Sequence, residues 1–226
     1  MTKDNIFVVG DVHGCYHTFM ELLNNHWNRN NELLIQLGDL IDRGNFSPEV
    51  VDFSRALQND PETEAVFLAG NHEYLAINHY KGDMNEAWFY NGGVETLRQF
   101  SKSSIGFEEA AQWFSELPLF WENEHVFVSH AGIGENGNLD NPYDLNGILW
   151  NRGTLKNIGK LQIIGHTPQR DGKPKFFTES NAYCIDTGAY LNLALTGIRI
   201  SSDGTVLDMV QVPTKDIDLE PLSYAV

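Results

Sequence analysis

Two cysteines, Cys15 and Cys184, are all that 226 residues contain, too few for the disulfide framework of a small extracellular fold. Basic residues are scarce as well, 15 Lys and Arg against 31 Asp and Glu, for a formal net charge of -16. The acidic residues are spread along the whole chain and no basic stripe runs through it, so long nucleic-acid backbones are poor partners and no nucleic-acid partner is expected. No run approaches the ~20 apolar residues of a membrane span. The opening MTKDNIFVVG passes straight into an apolar strand without a basic n-region, so the expectation is a cytoplasmic protein with no membrane partner. Repeats, low-complexity tracts and Pro/Ser-rich linkers are missing too. With hydrophobic residues at 42% and aromatics at 12%, the chain has the apolar mass for a sizeable core. A single domain over 1–226 is expected, and its oligomeric state is left open.

What is present is a regular alternation at the N-terminus. NIFVVGD, ELLIQLGD and EAVFLAGN read as strands, separated by the helical spacing of YHTFMELLNNHW and of SPEVVDFSRALQN. Continuous apolar strands in a β-α-β-α-β series belong in a sheet covered on both faces, so the fold class is α/β. From about 73 to 122, Trp, Phe and Tyr recur at helical intervals, which predicts an all-helical insertion. After it EHVFVSH, LQIIGH, AYCIDTG, YLNLALTGIRISS and TVLDMVQV read as strands. The last three resemble an antiparallel meander, and a second sheet is expected.

Five of these strands end in the same kind of residue. Asp11 and His13 follow the first in GDVHG, Asp39 and Asp42 the second in GDLIDRG, Asn71 and His72 the third in GNHE; His130 closes EHVFVSH and His166 closes LQIIGH. Asp or Asn after a strand is commonly a turn former, and a single His there is commonly a hydrogen-bonded structural residue. Five such ends, each beside Gly or another small residue, point instead to ligands gathered in the crevice at the carboxyl edge of a sheet. Carboxylate, amide and imidazole together suit Mn, Fe, Zn or Ni, and thiolates are absent. Six of these as ligands, Asp11, His13, Asp39, Asn71, His130 and His166, exceed what one ion can use while still binding substrate. Two divalent ions bridged by Asp39 fit better, a pair suited to in-line phosphoryl displacement. Arg43, directly after Asp42, and Arg152, in ILWNRG, can each grip phosphate oxygens in a bidentate fork. In a chain this acidic, the ions are what would admit an anionic substrate.

At these residues the sequence resembles the metallophosphoesterase (calcineurin-like) superfamily and, within it, the phosphoprotein phosphatase family. That family's GDxHG, GDxxDRG, GNHE, H[AG]G and GH motifs are complete here and in order. The resemblance implies a two-sheet, four-layer β-sandwich flanked by helices. It implies one ion on Asp11, His13 and Asp39, and a second on Asp39, Asn71, His130 and His166. His72 would be the general acid, oriented by Asp42, and a metal-bridging hydroxide would attack the phosphorus directly. The implied activity is a manganese-dependent serine/threonine phosphatase, with phosphotyrosine as a further substrate. The short interval from His130 to His166 and the WFYNGG segment, 88 to 93, look like the bacterial and bacteriophage-lambda type and like symmetrical diadenosine tetraphosphatases. A bis(5'-nucleosyl)-tetraphosphatase is therefore the alternative, with Trp88, Phe89 and Tyr90 as a stacking surface for adenine. GAYLNLALTG lacks the glycine pair of the family's GAxYGGxLT, which leaves the cleft wall, and with it the choice between phosphoprotein and small phosphoester, open. His17, His26, His79, His125 and Cys15 are expected to be structural, and Glu73 to buttress the site.

Overall fold

The computed structural model describes residues 3–83, 86–139 and 141–220; residues 1–2, 84–85, 140 and 221–226 lie outside it. The first sheet begins with strands β1 (Asn5–Val9), β2 (Glu32–Gln36) and β3 (Ala65–Phe67), linked by helices α1 (Tyr16–His26) and α2 (Ser47–Asn59). These strands pair in parallel, as a β-α-β-α-β series requires. A hairpin of β9 (Ala194–Ser201) and β10 (Val206–Pro213) completes this sheet, with β9 antiparallel to β1, in the order β10-β9-β1-β2-β3. The second sheet runs β4-β5-β6-β8-β7 and is built from Phe120–Glu122, Val126–Ser129, Leu161–Ile164, Ala182–Cys184 and Lys175–Phe177, in that spatial order.

Two expectations are corrected here. AYCIDTG and the two strands after it are not one meander: β8 lies parallel to β6 in the second sheet, while β9 and β10 join the first. The apolar pattern of each strand was legible, but the sheet it joins is set by long-range pairing. The stretch from 73 to 122 carries α3 (Asn71–Tyr80), α4 (Glu86–Trp88), α5 (Val94–Phe100) and α6 (Phe107–Phe114), with a kinked turn at Phe89–Gly93, and its end is a strand, β4. The edge pairing of β4 with β5 overrides the aromatic spacing. β7, an exposed three-residue edge strand, went unread for want of an apolar run.

β1 and most of β2 are covered on both faces, which is why the middle of each is an unbroken apolar run. From β1, Phe7 and Val9 face a core with Phe19, Leu22 and Phe114 of the helices, while Ile6 and Val8 face Val128 and Ile163 across the space between the sheets. The outer face of the second sheet is covered by Ile133, Ile148 and Leu149 over Phe127. Packed from both sides, the parallel strands deliver their carboxyl ends to a common edge at fixed height.

Candidate active site

The carboxyl ends of β1, β2 and β3 and, in the second sheet, of β5 and β6 hold every strand-terminal residue singled out by the sequence. Asp11, His13, Asp39, Asp42, Asn71, His72, His130 and His166 are all buried. His13, Asp39, Asp42, Arg43 and His166 have positive φ, between 45° and 73°, and only two other non-glycine residues, Asn181 and Asn192, do so among those described. A left-handed backbone strains an L-residue, so the surrounding structure must impose it, and here it turns successive side chains inward. Glu73 supplies much of that restraint. Its buried carboxylate accepts from the backbone N–H of Asp39, Leu40 and Gly70, each at 2.8 Å, and thereby ties the GDLIDRG loop to the start of α3.

The imidazoles are presented in a defined tautomer. His13 Nδ1 donates to the Ile41 carbonyl at 2.9 Å and His130 Nδ1 to that of Leu37 at 3.0 Å, which leaves each Nε2 with a lone pair directed into the site. His130 Nε2 then lies 2.9 Å from Asn71 Oδ1 and 3.1 Å from His166 Nδ1, and these last two are 2.8 Å apart. Asp39 Oδ2 is 3.4 Å from both His13 Nε2 and His130 Nε2. Asp11 accepts the His166 N–H through Oδ2, yet its Oδ1 is buried without a partner.

So many acceptors around one point repel one another unless a cation lies between them, and this donor set fits divalent metal ions. Two groups of ligand atoms stand within reach of one ion each, His13, Asp39 and His72 in one and Asp39, His130 and His166 in the other, with Asp39 common to both; the first has His72 where the sequence reading has Asp11. Burial lowers the pKa of His13, His130 and His166, favouring the neutral ligand form. Asp11 is held well above the carboxylate range by burial and by Asp186 and Asp39. The glycines are part of the cradle, since a side chain on Gly165 would collide with Asp11 and one on Gly70 with Asp39.

His72 is set apart from the other imidazoles. Its Nδ1 bonds Asp42 Oδ2 at 2.5 Å, and Asp42 is fixed in turn by Trp88 Nε1 at 2.8 Å and Thr96 Oγ1 at 2.5 Å. Burial disfavours the imidazolium, but Asp39 and Asp42 outweigh it and raise the pKa. Arg43 approaches from the loop, its Nη1 2.7 Å from His13 Nε2. Arg152 is exposed, with Nη1 3.4 Å from Thr167 Oγ1, at the rim of a cleft of about 830 Å³ that also includes Lys175 and Phe177.

Three features escaped the sequence reading. Asp186 is buried at the end of β8, its Oδ2 without a partner and its pKa pushed up to about 7 by burial; CIDTG repeats the strand-end Asp with a nearby Gly and could have revealed it. Trp88 serves Asp42 from a fully buried position instead of facing a cleft. Tyr190 lies against both Arg43 and His13, and no spacing signals it.

Fold and ligand set together define a metal-dependent phosphoesterase. The calcineurin-like phosphoesterase family matches residues 5–197, and the chain belongs to that family. It is 30% identical to serine/threonine-protein phosphatase 1 of Salmonella typhimurium over 209 residues, 87% of this chain and 92% of that one. It is 31% identical to a symmetrical bis(5'-nucleosyl)-tetraphosphatase of Erwinia tasmaniensis over 132 residues, 56% of this chain and 44% of that one. The fold matches a protein serine/threonine phosphatase from Saccharomyces cerevisiae with TM-score 0.69 at 19% identity, covering 95% of this chain and 81% of that one.

Proposed function

We propose that the protein is a cytoplasmic phosphoprotein phosphatase that hydrolyses phosphoserine and phosphothreonine monoesters at a binuclear manganese centre. The observation that carries this reading is the convergence of His130 Nε2, His166 Nδ1 and Asn71 Oδ1 within 3.1 Å, next to Asp39. Asp11, His13 and Asp39 would hold one ion, and Asp39, Asn71, His130 and His166 the other. When bound, such ions acidify water and neutralise charge on the transferring phosphoryl group. Arg43 and Arg152 bind phosphoryl oxygens through their planar N–H edges. His72, held by Asp42 through Nδ1, gives its Nε2 proton to the leaving oxygen of the serine or threonine, an alkoxide too basic to depart unprotonated.

The Salmonella relative, aligned over almost its whole length, supports the phosphoprotein substrate. The Erwinia relative favours a second reading, dinucleoside polyphosphate hydrolysis, over a shorter stretch. The aromatic segment offers that reading little: Trp88 is wholly buried and Tyr90 alone is fully exposed. The deciding experiment reconstitutes metal-free protein with Mn and compares kcat/KM for a phosphothreonine peptide and for diadenosine tetraphosphate. A preference of about tenfold or more for the peptide is expected; a preference for the dinucleotide installs the second reading with the same site residues.

A further inference from the structure

Tyr190 stands in GAYLNLALTG, where this chain departs from the family pattern. The Arg43 guanidinium carbon lies 4.1 Å from the centroid of the Tyr190 ring. The same ring meets His13 edge to face, with centroids 4.8 Å apart. We propose that Tyr190 is a positioning residue that holds the Arg43 guanidinium flat at the mouth of the site, with its N–H edge turned to the substrate phosphate.

The backbone fixes both partners. Tyr190 sits in a short 3₁₀ turn, Ala189–Leu191, closed on each side by a left-handed residue, Gly188 at φ 72° and Asn192 at φ 60°. Asn192 stands where the family pattern has a glycine, and Asn is among the few residues that tolerate the left-handed conformation it takes. Ala189 is buried, and its carbonyl accepts from Thr214 Oγ1 at 2.7 Å. On the other side, Asp42 and Arg43 are both left-handed, and the Gly44 N–H is bonded to the His13 carbonyl at 3.0 Å.

Between these two backbones the Arg43 side chain is held by His13 Nε2 and by the Tyr190 ring. The His13 Nε2 lone pair can serve Arg43 or a metal ion, never both. The ring face makes no such demand, so its hold on Arg43 is the same whichever group His13 serves. Stacking by the face uses none of the guanidinium N–H groups, which is how an arginine both rests on an aromatic ring and forks onto a phosphate.

This inference rests on the reading of Arg43 as a phosphate ligand, and its test separates the two. Inorganic phosphate binding to the manganese-loaded enzyme is measured by calorimetry, with KM and kcat for p-nitrophenyl phosphate alongside. Tyr190→Leu is expected to weaken phosphate binding and raise KM about 3- to 10-fold with kcat nearly unchanged. Tyr190→Phe, which keeps the ring, restores both. In an Arg43→Ala background Tyr190→Leu adds nothing further. Thermal unfolding reports on the fold, and Tyr190→Gln serves the same purpose if the leucine variant unfolds. Wild-type phosphate binding in Tyr190→Leu, an equal loss in Tyr190→Phe, or losses that add to that of Arg43→Ala would each overturn the proposal. If Arg43→Ala itself binds phosphate as the wild type does, the assignment of Arg43 fails and the inference fails with it.

Discussion

Four groups meet at Asp42: the His72 ring, the Trp88 indole N–H, the Thr96 hydroxyl and, through the backbone N–H, Ser47 Oγ. With its acceptors occupied, the carboxylate cannot rotate away, and His72 Nε2 stays aimed into the site. His72→Asn, which removes the transferable proton, should lower kcat on a phosphoserine peptide by about 10²–10⁴. p-Nitrophenyl phosphate, whose leaving group departs unprotonated, should lose far less, and metal content by elemental analysis should match the wild type. Equal losses on both substrates would take the acid role from His72. At this scale the sequence was informative about ligand types and silent about their geometry. Asp42 beside Arg43 was legible as a motif; that Trp88, 46 positions away, holds it was not.

The elements position these residues through their ends more than through their middles. Helix α1 begins directly after the GDVHG loop with no N-cap side chain of its own. Its first N–H groups are taken by Asp218, which accepts from the backbone of His17 at 3.0 Å and of Thr18 at 2.9 Å, and from Thr18 Oγ1 at 2.6 Å. The cap comes from 200 residues away, so chain continuity could not announce it. Asp218→Ala should destabilise by about 1–2 kcal/mol, as for a lost helix cap. For a chain of this length that is a fall of about 2–8 °C in Tm, read by calorimetry, with turnover retained at low temperature. An unchanged Tm would mean that water replaces the carboxylate. In WFYNGG, Gly92, at φ 117°, lies where a side chain would strike Asp42 and Arg43, and one on Gly93 would strike Trp88. The glycines let this turn press against the loop that carries Asp42 and Arg43.

For the whole molecule, the site gathers Asp11, Asp39, Asp42, Glu73 and Asp186 in the interior of a chain already at -16. Burial pushes Glu73 and Asp186 up to about 7. Ions that bind the folded chain but not the unfolded one stabilise it by mass action, about 2.7 kcal/mol at a hundredfold excess over Kd. Adding Mn to chelator-treated protein should therefore raise Tm by about 5–11 °C at that excess, with a dependence on ion concentration. A Tm indifferent to both chelator and Mn would argue against resident ions. Phosphate binding should rise in parallel, because the ions offset the repulsion that an anion meets at this surface.

The three parallel strands of the first sheet and the candidate ligands at their ends could be read from the chain alone, because β1 and β2 are apolar runs largely buried by their neighbours and the candidate ligands follow each strand within a few residues. Continuous apolar runs that stop at Gly-Asp, Gly-Asn or His leave few other readings. Tertiary structure decided which of those atoms meet. His166 reaches Asp11 across 155 positions, and β8 and β9, adjacent in the chain, part to opposite sheets. Asp186 and Tyr190 join the site only through that divergence. Such pairings depend on hydrogen bonds and packing formed between distant segments, and local apolar patterning carries no record of them.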